Sequence, residues 1–252
     1  MKLKTLINDL FEAPMIDWNS AIEECDGFIR DNLSSLRGGV YPWSAQICEA
    51  GSFQVHRHQT SKRTSTDLPV AIDEAANSFF EKRFHYAYRD NAKFCSTLRL
   101  NAKNYAATGM NKRMCIVLPM GRPWSIVFSP KVKAFELVFS PDSPTFYKEQ
   151  SAILGYPANE IWNGIFGTTC NADEFAAAYA EAADRPMSKE FERFIHGVLE
   201  HADYQKTNYL KGNALTAGNE FMLVSASYLV VDAEHATQYT DAIEATVNEL
   251  ED

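Results

Sequence analysis

The chain lacks most of the features that announce a function. There is no C-x-x-C pair, and the five cysteines, Cys25, Cys48, Cys95, Cys115 and Cys170, are odd in number and widely spaced. That argues against a disulfide framework or a cysteine-built zinc site. It suits a reducing compartment in which most of these thiols are small core residues. No apolar run is long enough to cross a bilayer. Residues 1–9 are basic and then only briefly apolar, and Asp9 and Glu12 interrupt them, so no secretory signal is expected and the cytoplasm is the expected location. Positive charge is scarce as well: 24 Lys and Arg stand against 33 Asp and Glu, a net charge of −9. Tight non-specific binding to nucleic acid needs clustered cations and is disfavoured. The small groups Arg57, Lys62, Arg63 and Lys131, Lys133 read as mixed-charge surface, though a local basic groove stays open. The phosphate cradles G-x-x-x-x-G-K-[ST] and G-x-G-x-x-G are missing, as are H-E-x-x-H and G-x-S-x-G.

What is present is an ordinary globular composition. The 252 residues are 46 % hydrophobic and 23 % charged, which suits one domain or one domain with a helical insertion. Leu6, Ile7, Leu10 and Phe11 repeat at helical spacing, and Trp18, Ile22, Cys25, Phe28, Ile29 and Leu33 continue a second stripe that Gly38-Gly39 ends. Residues 53–58 alternate as a strand, with Phe53, Val55 and Arg57 on its inward face. A helix is predicted from Asp67, with Pro69 in its first turn, to Phe84. A strand over 93–97, a short helix over 101–106 and strands over 113–119 and 124–128 follow. Residues 132–139 fit a strand or a short helix. Residues 143–208 read as mostly helical, with Asn171 and Glu174 spaced as a capping box. A strand over 220–231 and an acidic tail helix close the chain. Helices, strands, helices, strand, helix make an α+β order rather than alternating βαβ units. The expected segments are an N-terminal helical part (1–39), a first part of the core (40–142), a helical insertion (143–208) and the remainder of the core (209–252).

Three segments carry candidate chemistry. Glu220 opens an apolar strand directly after the turn signal Gly218-Asn219, and a carboxylate at the mouth of a buried strand is costly unless it has a task. Its bland reading is a solvated strand-edge acid. Phe94-Cys95-Ser96-Thr97 places two hydroxyls at a strand end, where they can hold a ribose or a carboxylate, or simply make a turn. Arg57, among apolar neighbours, needs an anion, whether a phosphate or the acid of a structural salt bridge. His56 and His58 on one strand face read as a surface pair before they read as metal ligands.

The order Arg on a strand, Phe-x-Ser-Thr after a helix, two core strands, then Glu opening a late strand resembles the ADP-ribosyltransferase fold of the Arg–Ser–Glu type. Ala102-Lys103-Asn104-Tyr105-Ala106, Leu118-Pro119-Met120-Gly121, Arg63-Thr64-Ser65-Thr66-Asp67 and the stretch from Tyr88-Arg89-Asp90 to Phe94 are also similar to phage-encoded proteins with this suspected fold. The likeness covers residues 53–135 and 210–232. It departs from the family pattern at Leu98, where a second Ser is usual, at His58, where Gly is usual, and at Gly218, where arginine-modifying members carry Glu. A His–Tyr–Glu variant of the superfamily would use His56 or His58 and Tyr105.

The resemblance implies a split β-sheet core and an NAD-dependent mono-ADP-ribosyltransferase. Phage encoding is implied too, with a host macromolecule as acceptor, protein before nucleic acid, and no membrane partner. It implies Glu220, Ser96 and Arg57 as catalytic residues and Arg57, His58, Phe94, Ser96, Thr97 and Tyr105 as the NAD-binding set, with Tyr88 a further candidate for stacking and no metal. Two other outcomes stay open: a catalytically degenerate fold that binds a nucleotide or host protein, and an NAD glycohydrolase with water as acceptor.

Overall fold

The computed structural model describes residues 16–57, 68–109, 111–140 and 146–250. Three short helices come first, α1 (Trp18–Glu24), α2 (Asp26–Asp31) and α3 (Leu33–Arg37), then strands β1 (Trp43–Ile47) and β2 (Phe53–Arg57). Helices α4 (Val70–Phe84) and α5 (Tyr88–Asn91), strand β3 (Lys93–Cys95), helix α6 (Arg99–Ala107) and the long strand β4 (Lys112–Phe128) follow. Five helices come next: α7 (Phe135–Phe139), α8 (Phe146–Leu154), α9 (Ala158–Phe166), α10 (Ala172–Ala183) and α11 (Lys189–His201). Strand β5 (Gln205–Thr207), helix α12 (Asn213–Thr216), strand β6 (Phe221–Asp232) and helix α13 (Thr237–Glu249) complete the order. The fold is mixed α and β, built on a six-stranded antiparallel sheet.

The sheet is organised by β6. Its order is β1-β4-β6-β2, with β3 on β6 and β5 on β4. One edge of β6 is taken by β4. The other is shared end to end by β3, with Cys95 opposite Phe221, and β2, with Arg57 opposite Ser227. Beyond β3 the ladder turns towards β1: Trp43 and Ser96 exchange two backbone hydrogen bonds of 2.8 Å. The sheet therefore curls far enough for its first strand to reach the residue that follows β3.

Alternation along the paired strands hands successive side chains to two cores. Ile126, Phe128, Phe221 and Leu223 join a core with α1–α3 and α13, whereas Val127 and Met222 join a second core under α4 and α7–α11. The second core is rich in aromatic rings. Phe194 has no exposure and lies 5.2 Å from Trp162, 5.8 Å from Phe175 and 6.0 Å from Tyr179, mostly edge to face. The helical segment is set by local signals: Ser188 caps α11 by accepting from Phe191 N–H at 3.0 Å, and the Asn171–Glu174 box at α10 is complete.

Several expectations are refined. Residues 18–37 form three short helices rather than one: Cys25 N–H bonds back to Ile22 O, three residues away instead of four, and the backbone leaves helical geometry at Asn32 with φ −120°. The strands expected over 113–119 and 124–128 are one strand with an irregularity between Met120 and Trp124, where Gly121 takes a left-handed φ of 68°. Residues 135–139 are helical. β1 and β5 are absent from the sequence reading, since neither is apolar enough to signal a strand. The expected helix over residues 6–11 lies outside the described residues, as do His58, Lys62 and Arg63.

The aromatic core yields a direct expectation. Phe194→Ala should cost about 3–5 kcal/mol in urea unfolding, and Phe194→Leu clearly less, because the cavity is smaller. Equal costs for the two would mean that the site collapses around the gap.

Candidate functional site

Ser96 and Glu220 lie at the same end of the β3–β6 ladder, each one residue beyond its last pair, Cys95–Phe221. Glu220 is half-buried. Its N–H donates to Lys133 O at 2.7 Å, and its Oε1 accepts from Phe135 N–H at 3.3 Å, at the start of α7. The acid therefore ties the mouth of β6 to the loop that follows β4, and a backbone N–H stabilises its charge.

Ser96 is 6 % exposed, and its hydroxyl is engaged. Oγ donates to Gly218 O at 2.9 Å and accepts from Leu98 N–H at 3.1 Å and Asn101 Nδ2 at 3.0 Å; the same Asn101 nitrogen also donates to Gly218 O at 3.1 Å. Thr97 Oγ1 donates to Leu215 O. The two hydroxyls thus knot the turn after β3 to the turn before β6. Gly218 is built into that knot: φ is 86°, and a Cβ there would run into the Leu98 side chain. A Glu at this place is sterically excluded, which gives the departure at Gly218 a physical reason.

Arg57 stands apart. It pairs with Ser227, seven residues along β6 from Glu220, about 23 Å at the usual strand rise. Its side chain is exposed, not inward, which corrects the alternation reading. As the last residue of an edge strand it has left the packed part of the sheet. Between Arg57 and Lys93, the facing residues Val224, Ser225 and Ala226 of β6 have no partner on this edge among the described residues.

Lys93, which sequence reasoning passed over, sits beside this gap. Its Nζ donates to Gln46 Oε1 at 2.9 Å, lies 3.3 Å from His56 Nδ1 and is 5.7 Å from the Tyr228 ring centroid. Burial, with the Lys93 charge beside it, pulls the His56 pKa from 6.5 down to about 4. His56 is therefore neutral at pH 7 and offers Lys93 an acceptor nitrogen. The only sequence signal was that a Lys opens a strand otherwise apolar.

Phe94 is half-buried with its ring 4.5 Å from the Arg89 guanidinium carbon, and Phe135 covers the same guanidinium from 4.2 Å. Arg89, 7 % exposed, is ion-paired with Asp73 at 3.0 Å. This buried cation was also missed, because an Arg between Tyr88 and Asp90 reads as surface. Tyr88 is a core residue, 1 % exposed, with its hydroxyl 2.9 Å from Ser125 Oγ. Tyr105 is 40 % exposed on α6. Two hollows are described, one of about 550 Å³ lined by Lys82, Arg193 and His196 among others, and one of about 350 Å³ beside Arg99 and Glu234. Neither is lined by Arg57, Ser96 or Glu220.

Two measurements check this geometry. Gly218→Ala should destabilise the protein by about 1–3 kcal/mol, and Leu98→Ala in the same chain should recover part of the loss. An additive double variant would show that Leu98 is not the obstacle. His56 has a depressed folded pKa, so its stabilising contribution is full above pH 6.5 and is lost as pH falls towards about 4. At most about 3 kcal/mol is involved, less with solvent screening. Urea midpoints between pH 7 and pH 4 should fall more steeply in the parent than in His56→Gln; parallel slopes would remove His56 as the cause.

No family model, curated protein or solved structure matches the chain.

Proposed function

We propose that the chain is an ADP-ribosyltransferase-like enzyme that cleaves NAD and passes ADP-ribose to a macromolecule, protein before nucleic acid. The single observation that carries the reading is the use of one edge of β6. Glu220 and Ser96 lie just beyond the β3–β6 ladder at one end, and Lys93 and Arg57 flank the stretch Val224–Ala226, which has no partner on this edge among the described residues. A dinucleotide lying over β3 would meet an acid at one end and cations towards the other.

In this reading the bond between nicotinamide and ribose breaks, the electron pair leaves with nicotinamide, and positive charge develops at the sugar carbon. Glu220 stabilises that charge and takes the proton of the incoming nucleophile. Arg57, about 23 Å along β6 from Glu220, would meet the far, adenylate end of an extended dinucleotide rather than the phosphate next to the reacting ribose. Ser96, whose hydroxyl binds Gly218 and Asn101, positions Glu220 through the turn rather than touching the ribose. With water as nucleophile the same site would be an NAD glycohydrolase. A phage origin, with a host component as acceptor, belongs to the same proposal.

A second reading is binding without turnover. The engagement of the Ser96 hydroxyl with Gly218 and Asn101 favours it. Nicotinamide release separates the two. The parent protein should release nicotinamide from NAD, and Glu220→Gln should reduce the rate at least a hundredfold with an unchanged thermal midpoint. Arg57→Ala should chiefly weaken NAD binding. A parent that binds NAD without releasing nicotinamide favours the second reading. A Glu220→Gln variant as active as the parent ends the first.

A further inference from the structure

Cys48 and Cys115 are 67 residues apart in sequence, yet their sulfur atoms lie 3.2 Å from each other. Both are free thiols, and both are buried: Cys48 is 8 % exposed and Cys115 not at all. The contact is produced by the fold. β1 ends at Ile47, paired with Lys112, and the chain then turns so that Cys48 comes back over β4. Arg113 Nε donates to Cys48 O at 3.2 Å and holds that turn in place. Cys115 lies in the middle of the sheet, opposite Ser44 on one side and Asp232 on the other. Asp232 in turn accepts from Gly51 N–H at 3.0 Å, so the segment carrying Cys48 is tied down on both sides of the thiol.

Two sulfurs in this arrangement need only a short approach to bond, and no backbone segment has to cross another to let them. Cys25 and Cys95 are buried with no second sulfur within hydrogen-bonding distance among the described residues. We propose that Cys48 and Cys115 form an oxidisable dithiol that closes to an intramolecular disulfide when the protein meets a small-molecule disulfide or a hydroperoxide.

The roles within the pair are unequal. The sulfur contact, together with the nearby Arg113, draws the Cys48 thiol towards its thiolate; the neighbouring sulfur and burial hold Cys115 in its protonated form. Cys48 is also the one with surface exposure. With a small disulfide as oxidant, the Cys48 thiolate attacks one sulfur, forms a mixed disulfide and releases a thiolate. Cys115 then attacks Cys48 Sγ, its proton passes to the released thiolate, and the second thiolate departs and takes up the proton that Cys48 lost on ionising. The protein loses two hydrogens, and the oxidant is reduced to two thiols. The closed loop, from Cys48 to Cys115, encloses β2, α4, α5, β3 and α6. Closing it restricts the unfolded chain and so stabilises the fold. The inference does not depend on the proposed NAD chemistry.

The test uses the full-length protein, reduced and then treated with oxidised glutathione under native conditions. Alkylation followed by intact-mass measurement should count five thiols before treatment and three after, and a proteolytic map should show one cross-linked peptide pair holding Cys48 and Cys115. Cys48→Ser and Cys115→Ser should each abolish the cross-link, Cys25→Ser should leave it intact, and thermal melting confirms that each variant is folded. The oxidised parent should melt several degrees higher than the reduced protein, and a reductant should reverse the shift. Five alkylated thiols after treatment, a cross-link between other cysteines or a covalent dimer would overturn the proposal.

Discussion

The structure depends on the register of β6. That strand is paired along both edges, and nearly every other element is placed by what it does to one edge or face of it. β4 covers one edge for almost its whole length, while β2 and β3 divide the other. Because side chains alternate, a slip of one residue would send Phe221 and Leu223 into the wrong core and Met222 into the other. The register is thus held by two cores at once. The same register sets Glu220 at the mouth of the strand, one residue before its first pair with β3, and Arg57 seven residues away.

Around that mouth the polar groups are used twice. Ser96, Asn101 and Gly218 close the turn that leads into β6, and Glu220 secures the start of α7. Arg89, held between Phe94 and Phe135, joins the second core to the same corner through Asp73. A buried guanidinium is tolerated only where a carboxylate and aromatic faces replace water, and this corner supplies both. The corner is therefore rigid by construction. An acid used in catalysis benefits from such support, since positioning is most of what a fixed carboxylate contributes.

How much of this was legible follows from which signals are local. The α10 capping box, the strand over β6, the helix that ends at Phe84 and the tail helix were readable because each rests on neighbours within a few residues. β1 was not, because Trp43–Ile47 is short and half polar and becomes a strand only by pairing with β4. Arg57 was read as inward from alternation alone, whereas its place at the end of an edge strand turns it to solvent. Arg89 and Lys93 were passed over for the opposite reason: charged residues read as surface until the packing around them is known.

The sequence by itself determined the class of protein, α and β segments in a mixed order, the cores' apolar stripes and the three candidate residues with their order along the chain. Tertiary structure alone decided which of them meet. Ser96 meets Gly218, two residues before Glu220 and more than a hundred positions away, and Cys48 meets Cys115 through a turn at the end of β1. Local preference acts over one or two turns of chain; contacts of that length are chosen only when two buried faces find a common register, and no window of sequence carries that information.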